Sequence, residues 1–268
     1  KSKKKSKKRI YFRGFKKKNT ISNPLISIIT VVKNDEKKIL RTIKSVFNQS
    51  YKNFEYIVVD GASTDRTLDI LKKYQYKIDI LISQRDKNLW DAMNKGISIS
   101  SGSIIGIINS GDVYYKNTLK YVKKYFTSKE KLDYLFGPVK KDRVLFRYEP
   151  EKIFYRFNIY PSHSTGFFIS NKAQKKIGIY NTKLDYGSDH DLFYRIIKNK
   201  KLKGRIANKN EVFGKFDLSG ISSKIPFYKS YYYEMKIRYK NKQNIIYLFF
   251  LYWVKVFNKL LNLLISFK

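Results

Sequence analysis

Carboxylates stand at three places in this 268-residue chain where their surroundings suit them to chemistry. Asp60 closes the apolar run Phe54-Glu-Tyr-Ile-Val-Val and opens a Gly-Ala-Ser-Thr-Asp turn. A carboxylate there accepts hydrogen bonds from a base or ribose lying over a sheet edge, although Asp-Gly is also an ordinary turn dipeptide. Asp112 ends Asn109-Ser-Gly-Asp, directly behind the apolar run Ser103 to Ile108. An acid so placed suits Mg²⁺ or Mn²⁺ held against a diphosphate, with substrate and water supplying most of the oxygen ligands; a solvated turn is the plainer alternative. Asp189 and Asp191 flank His190 where a helix should begin, and capping with the helix dipole accounts for one acid more comfortably than for two. His163, in Tyr-Pro-Ser-His-Ser-Thr-Gly, suits contact with a phosphate or another bound ligand, or an ordinary hydrogen-bonded role. Trp90 suits stacking on a bound ligand, or a place in the core.

Short apolar strands alternating with amphipathic helices must position these groups. Leu25 to Val32 reads as a strand, 36–48 as a helix with Ile39, Leu40, Ile43, Val46 and Phe47 at helical spacing, and Phe54 to Asp60 as a second strand. Ser63 or Thr64 offers the cap of a helix running to about Tyr74. A strand over 78–83, a helix over 91–100 and a strand over 103–108 complete a β-α-β-α-β-α-β order. That order predicts an α/β fold with a doubly wound, mostly parallel central sheet flanked by helices, whose ligands lie beyond the carboxyl ends of the strands. Further on, 116–126 and 189–198 read as helices, and 132–138, 143–148, 164–169, 203–207 and 212–216 as strands.

Four stretches, PLISIITVVKN, FEYIVVDGASTDRTLDIL, NLWDAMNKGISISSGSIIGIINSGD and YGSDHDLFYRI, resemble in that order the blocks of the family 2 inverting glycosyltransferases of the GT-A fold. They are most similar to members that extend cell-surface polysaccharides and glycolipids. The resemblance implies a nucleotide-sugar donor (UDP-, GDP- or dTDP-linked), a glycan or lipid-linked acceptor and a divalent metal, Mn²⁺ or Mg²⁺. It implies that Val31, Lys33 and Asp60 hold the nucleoside and that Asn94 and Lys95, with Gly96, form the Asn-x-Gly beside the donor. It further implies that Asn109 and Gly111 belong to the donor motif whose Asp112 binds the metal. Asp189 becomes the general base, with Asp191 a helper or alternative, and Lys33 or Lys95 an aid in neutralising the departing diphosphate. The sequence departs from the family where Gly61 replaces a second acid, Met93 replaces an Arg, and a full Asp-x-Asp is reduced to Asn109-Ser-Gly-Asp112. The Gln-x-x-Arg-Trp element of processive synthases is absent, so single-residue addition is expected.

Composition bounds the alternatives. The chain carries 57 Lys+Arg against 21 Asp+Glu, a formal charge of +36, and no cysteine, which excludes disulfides and thiolate metal sites. So basic a surface points to an anionic partner: a phosphorylated small molecule, anionic lipid or nucleic acid. The competing reading is a nucleic-acid- or membrane-binding protein on an inactive transferase scaffold, which the charge permits. The expected organisation is a basic tail over 1–22, a catalytic domain over 23–218 with halves 23–112 and 113–218, and an amphipathic helical extension over 219–268. In that extension Lys255, Asn258, Lys259 and Asn262 form a polar stripe, and Lys236, Arg238, Lys240 and Lys242 a cationic cluster suited to an anionic membrane surface. A charge run without an apolar segment opens the chain, so a cytoplasmic protein, peripheral at the membrane, is expected.

Overall fold

The computed structural model describes residues 9–12, 17–156, 159–160, 163–218 and 225–266; for 9–12, 227, 258–260 and 262–266 it describes the backbone alone. The strands are β1 (Arg9–Phe12), β2 (Ile26–Val32), β3 (Phe54–Asp60), β4 (Ile80–Ser83), β5 (Ile104–Asn109), β6 (Val113–Tyr114), β7 (Tyr134–Phe136), β8 (Val139–Lys140), β9 (Val144–Leu145), β10 (Phe167–Ser170), β11 (Gly204–Ile206) and β12 (Gly214–Lys215). The helices are α1 (Ile39–Phe47), α2 (Thr67–Lys73), α3 (Leu89–Ile99), α4 (Thr118–Phe126), α5 (Asn171–Ile177), α6 (Ser188–Lys198), α7 (Phe227–Lys240) and α8 (Ile245–Ser266).

The main sheet runs β1-β4-β3-β2-β5-β10-β7-β11. Its centre, β4-β3-β2-β5, is parallel. Every residue of β2 and β3 is buried, as continuous β-branched runs require when helices cover both faces of a sheet. Alternate residues of one strand feed two cores. Ile29, Val31, Ile57 and Val59 pack with Met93 and Ile97 of α3 and Leu192 and Phe193 of α6, whereas Ile28, Val58 and Ile108 pack with Ile43 of α1 and Leu119 of α4. β10 then runs antiparallel to both β5 and β7. A second sheet, β6-β12-β8-β9, is built from two-residue strands beside the end of β5.

α3 lies tightly on β2 because Gly96 has no side chain: a Cβ there would stand 2.4 Å from Ile29 Cγ2. Gly96→Ala should therefore destabilise the protein by about 1–3 kcal/mol despite the better helix propensity of Ala. Thermal denaturation checks this, and an unchanged or raised melting point would refute the close packing.

Three expectations change at the ends of elements. α2 begins at Thr67, and neither Ser63 nor Thr64 caps it; Ser63 is drawn back to Asp60, and Asp65 Oδ1 accepts the Thr67 N–H instead. Part of the basic tail is structured, since β1 pairs antiparallel with β4 and Lys17 Nζ donates to Asp79 Oδ2 at 2.7 Å; residues 1–8 and 13–16 lie outside the described residues. Arg238 is not a lipid-facing cation. It is 2% exposed and donates to Glu234 Oε1 (2.8 Å), the carbonyls of Ile153 (2.6 Å) and Arg156 (3.1 Å), and Gln243 Oε1 (3.1 Å), which ties α7 to the catalytic half.

Candidate active site

Parallel register brings the strand tips together. Val32 pairs with Asp60 and Asp60 with Ser83, while Val31 pairs with Asn109 across β2 and β5. Asp60 is fully buried and its oxygens accept from Ser63 N–H (3.2 Å), Ser63 Oγ (2.5 Å) and Ser83 Oγ (2.6 Å). It therefore shapes the turn on which a ligand would rest. Val31 is 3% exposed, in the core, with its carbonyl accepting from Ser110 N–H; its side chain does not line the cleft. Lys33 is exposed and its stem passes over Gly61, where an added Cβ would lie 3.2 Å from Lys33 Cβ and 3.1 Å from Asp86 Oδ2. Lys95 Nζ is paired with Asp86 at 2.5 Å and Asp91 at 3.1 Å, so it fixes Asp86 more directly than it offers charge to a diphosphate. Burial holds the Asp86 carboxyl above its ordinary range, with Asp60 and Asp91 pushing the same way against Lys95.

The Asn109-to-Asp112 turn rests on α1. Gly111 adopts φ +93°, its N–H donates to Thr42 Oγ1 (2.9 Å) and its carbonyl accepts from Arg41 Nε (2.7 Å). Asp112 is 3% exposed; Oδ1 accepts from Asp217 N–H (2.9 Å) and Oδ2 from Thr165 Oγ1 (2.8 Å). Burial, augmented by the Asp217 carboxylate, pushes its carboxyl up to about 7. Asp217 itself is held by Arg41 (2.5 Å) and Lys38 (2.7 Å). Asn109 Nδ2 donates to Ser164 Oγ (3.1 Å), but its Oδ1 is buried without a hydrogen-bond partner. An orphaned acceptor beside a buried carboxyl that resists ionisation leaves hard oxygen donors without a full set of partners, and donors of this kind fit a divalent cation. Among the described residues no group of three or more His, Cys, Asp and Glu is arranged to hold a metal, so such a cation would complete its shell with substrate oxygens and water.

Asp189 lies in the first turn of α6. Its Oδ1 accepts the His190 N–H (2.9 Å), and it remains partly exposed. His163 lies between the two acids. Its Nδ1 is 3.9 Å from Asp112 Oδ2, and Asp189 is near enough to pull the imidazole pKa upward, against the burial that takes it down to about 4. The ring stacks on Phe216 at 4.1 Å, and Nδ1 accepts from Thr165 N–H, so the neutral ring carries its proton on Nε2. His190 is the opposite case. Burial alone would lower its pKa, but Asp189 and Glu234, the latter 3.1 Å from Nδ1, raise it to about 9. An imidazolium therefore backs Asp189 at neutral pH.

Three candidate residues have their partners within the fold. Asp191 is buried and spent on Arg195 Nε (2.9 Å) and Asn241 Nδ2 (2.8 Å), because residues two apart on a helix face nearly opposite ways. Asn94 uses both ends of its amide on the backbone of Tyr180, donating to its carbonyl and accepting from its N–H at 2.9 Å each, and so pins the segment before α6. Trp90, 7% exposed, stacks on Tyr180 at 5.7 Å within the core. Conversely, Asp86, Thr165 and Asp217 join the site unannounced. Asp86 follows β4, whose tip the parallel-sheet rule marks for inspection; Asp217 follows a two-residue strand with no periodic signature.

Comparison with known proteins agrees with this architecture. The profile of Glycosyl transferase family 2 matches residues 27–187. The chain is 27% identical over 250 residues to an uncharacterized glycosyltransferase of Methanocaldococcus jannaschii, covering 84% of this chain and 82% of the relative. It is 28% identical over 204 residues to a PGL/p-HBAD biosynthesis glycosyltransferase of Mycobacterium tuberculosis, covering 71% and 78%. In fold it is similar to S. aureus TarS 1–349 in complex with UDP-GlcNAc (TM-score 0.63, 19% identity, covering 79% of this chain and 64% of that one). It is likewise similar to the Pyrobaculum calidifontis mannosyltransferase PcManGT in complex with GDP-Man and Mn²⁺ (TM-score 0.62, 18% identity, covering 86% and 68%). It spans 39% of the longer TarS chain and 61% of a Rickettsia typhi relative. With the family profile covering more than half of its length on the strands and turns just described, the chain belongs to glycosyl transferase family 2 and is a glycosyltransferase.

Proposed function

We propose that the enzyme transfers one sugar from a nucleoside-diphosphate donor to a hydroxyl of a glycan or lipid-linked acceptor, with inversion, using Asp189 as base. The observation that supports this reading is His163, whose Nδ1 is 3.9 Å from Asp112 Oδ2 and whose imidazole also feels the Asp189 carboxylate. The nucleoside rests on the turn organised by Asp60, beside Asp86 and beneath Lys33. The UDP-GlcNAc bound by TarS and the GDP-Man and Mn²⁺ bound by PcManGT support a nucleotide-sugar donor and a divalent cation.

Asp189 takes the acceptor proton while the acceptor oxygen bonds the anomeric carbon from the face opposite the diphosphate. The anomeric C–O bond breaks, and its electron pair leaves on the phosphate oxygen. Asp112 and Asn109 Oδ1, with Asp217 beside them, would hold the cation; when bound, it supplies positive charge where the leaving diphosphate becomes more negative. Neutral His163 presents Nε2–H without adding competing charge, and the His190 imidazolium, held by Glu234, places positive charge near the Asp189 carboxylate. Thermal stabilisation by UDP, GDP and dTDP, each with and without Mn²⁺, tests the donor half. One nucleotide at a hundredfold excess over its Kd should add about 2.7 kcal/mol in the presence of Mn²⁺ and much less without it. No stabilisation by any of the three would overturn the donor assignment.

A further inference from the structure

α8 is built the wrong way round for a helix that simply packs on its own domain. Leu248 (6% exposed), Leu251 (2%) and the half-enclosed Lys255 turn toward α7, where Lys255 Nζ lies 4.8 Å from the centre of the Tyr231 ring. Ile246, Phe249, Phe250, Trp253, Phe257 and Leu261, recurring at three- and four-residue intervals, share the opposite face and are 39–62% exposed. Single exposed apolar residues are ordinary, but a continuous aromatic stripe along a helix of about 33 Å marks an interaction surface. No helix among the described residues is long and apolar enough to cross a membrane. α7 continues the surface with exposed Tyr228, Tyr232 and Tyr239, four and seven residues apart.

We propose that α8, with the outer face of α7, docks the enzyme in the interface of an anionic lipid bilayer, apolar stripe inward and helix axis in the membrane plane. Charge selects this occupant. Downstream of Asp217 the chain holds a single acid, Glu234, already paired with His190 and Arg238, whereas Lys229, Lys240 and Lys242 are exposed. Each added lysine strengthens attraction to anionic headgroups, and Trp and Tyr suit the depth at which one end of a side chain is wet. A second copy of the chain is disfavoured as the occupant, because two molecules of charge +36 would be brought face to face.

Trp253 makes the test direct, since the other tryptophan, Trp90, is buried. With the full chain, vesicles containing phosphatidylglycerol should shift Trp253 emission to the blue and carry the protein down on sedimentation, whereas pure phosphatidylcholine vesicles should do neither. Phe250→Asp with Phe257→Asp should weaken partitioning about tenfold or more while leaving the melting point and transfer to a water-soluble acceptor unchanged. Asp189→Asn should bind vesicles as the parent does, which separates failure of this surface from failure of the catalytic reading. Absence of vesicle binding, equal binding to neutral vesicles, or lipid-free dimerisation abolished by the same double substitution would each overturn the proposal.

Discussion

Asp189→Asn should lower kcat by about a thousandfold, within the 10²–10⁴ range for removal of a general base, while donor affinity and melting temperature stay near those of the parent. The asparagine keeps an oxygen to accept the His190 N–H and preserves the start of α6, so the losses are the ability to take a proton and one of the two charges that hold His190 protonated, Glu234 remaining. The turn that Asp60 organises is held by Ser63 and Ser83 and not by Asp189, hence the nucleotide should bind as before. Nucleotide release in the presence of acceptor measures the rate, and calorimetric titration of the nucleotide measures affinity. Because the effect falls on the step in which the acceptor oxygen is deprotonated, kcat and kcat/KM should drop together. A variant that transferred at the parental rate would remove Asp189 from the mechanism.

Much of this site could be read in the residue order. β2, β3 and β5 are continuous apolar runs whose last residues, in a parallel sheet, must emerge on one edge, so Asp60, Asn109 and Asp112 were predictable neighbours. What their side chains do there was not predictable. Asp60 looks like a ligand-binding acid until Ser83, from the adjacent strand, is seen to claim one of its oxygens. Asn94 and Trp90 sit in a stretch that resembles donor-binding sequence, yet both serve the backbone and ring of Tyr180, which is 86 residues from Asn94. Such partners are set by tertiary packing, which a periodic pattern does not encode.

Helix geometry, by contrast, could have separated Asp189 from Asp191 in advance. At 100° per residue, two positions turn the second carboxylate about 200° away from the first, and Asp191 accordingly meets Arg195 and Asn241. Asp217 was out of reach by any such rule. It arrives beside Asp112 through the pairing of β12 with β6, two strands of two residues each, too short to carry an alternating signal. The periodicity expected of an amphipathic helix in the C-terminal segment is that of α8, whereas Arg238 is buried, because a buried arginine and a solvated one look alike until their partners are known.

Asp112→Asn should make the unliganded protein more stable at neutral pH and at the same time abolish the Mn²⁺-dependent part of nucleotide binding. An aspartate whose carboxyl rises to about 7 on folding keeps its proton in the folded state while the unfolded chain has lost it. Unfolding stability therefore falls as pH rises from about 4 to about 7 and is flat beyond, the penalty amounting to about 4 kcal/mol at most. Asparagine does not titrate. It retains an acceptor for Asp217 N–H, and Thr165 Oγ1 can turn to accept from its amide. Denaturant unfolding of parent and variant should coincide near pH 4 and diverge by about 2–4 kcal/mol in the variant's favour by pH 7.5. Adding nucleotide with Mn²⁺ should reverse the order, since the parent exchanges the proton on Asp112 for a cation and gains a ligand that the variant cannot hold. The metal-dependent increment of the parent should accordingly grow with pH up to about 7, where Asp112 no longer has a proton to release. A variant less stable than the parent at pH 7.5, or one that kept the full Mn²⁺ increment, would show that Asp112 is held ionised by partners of its own and that the cation binds elsewhere.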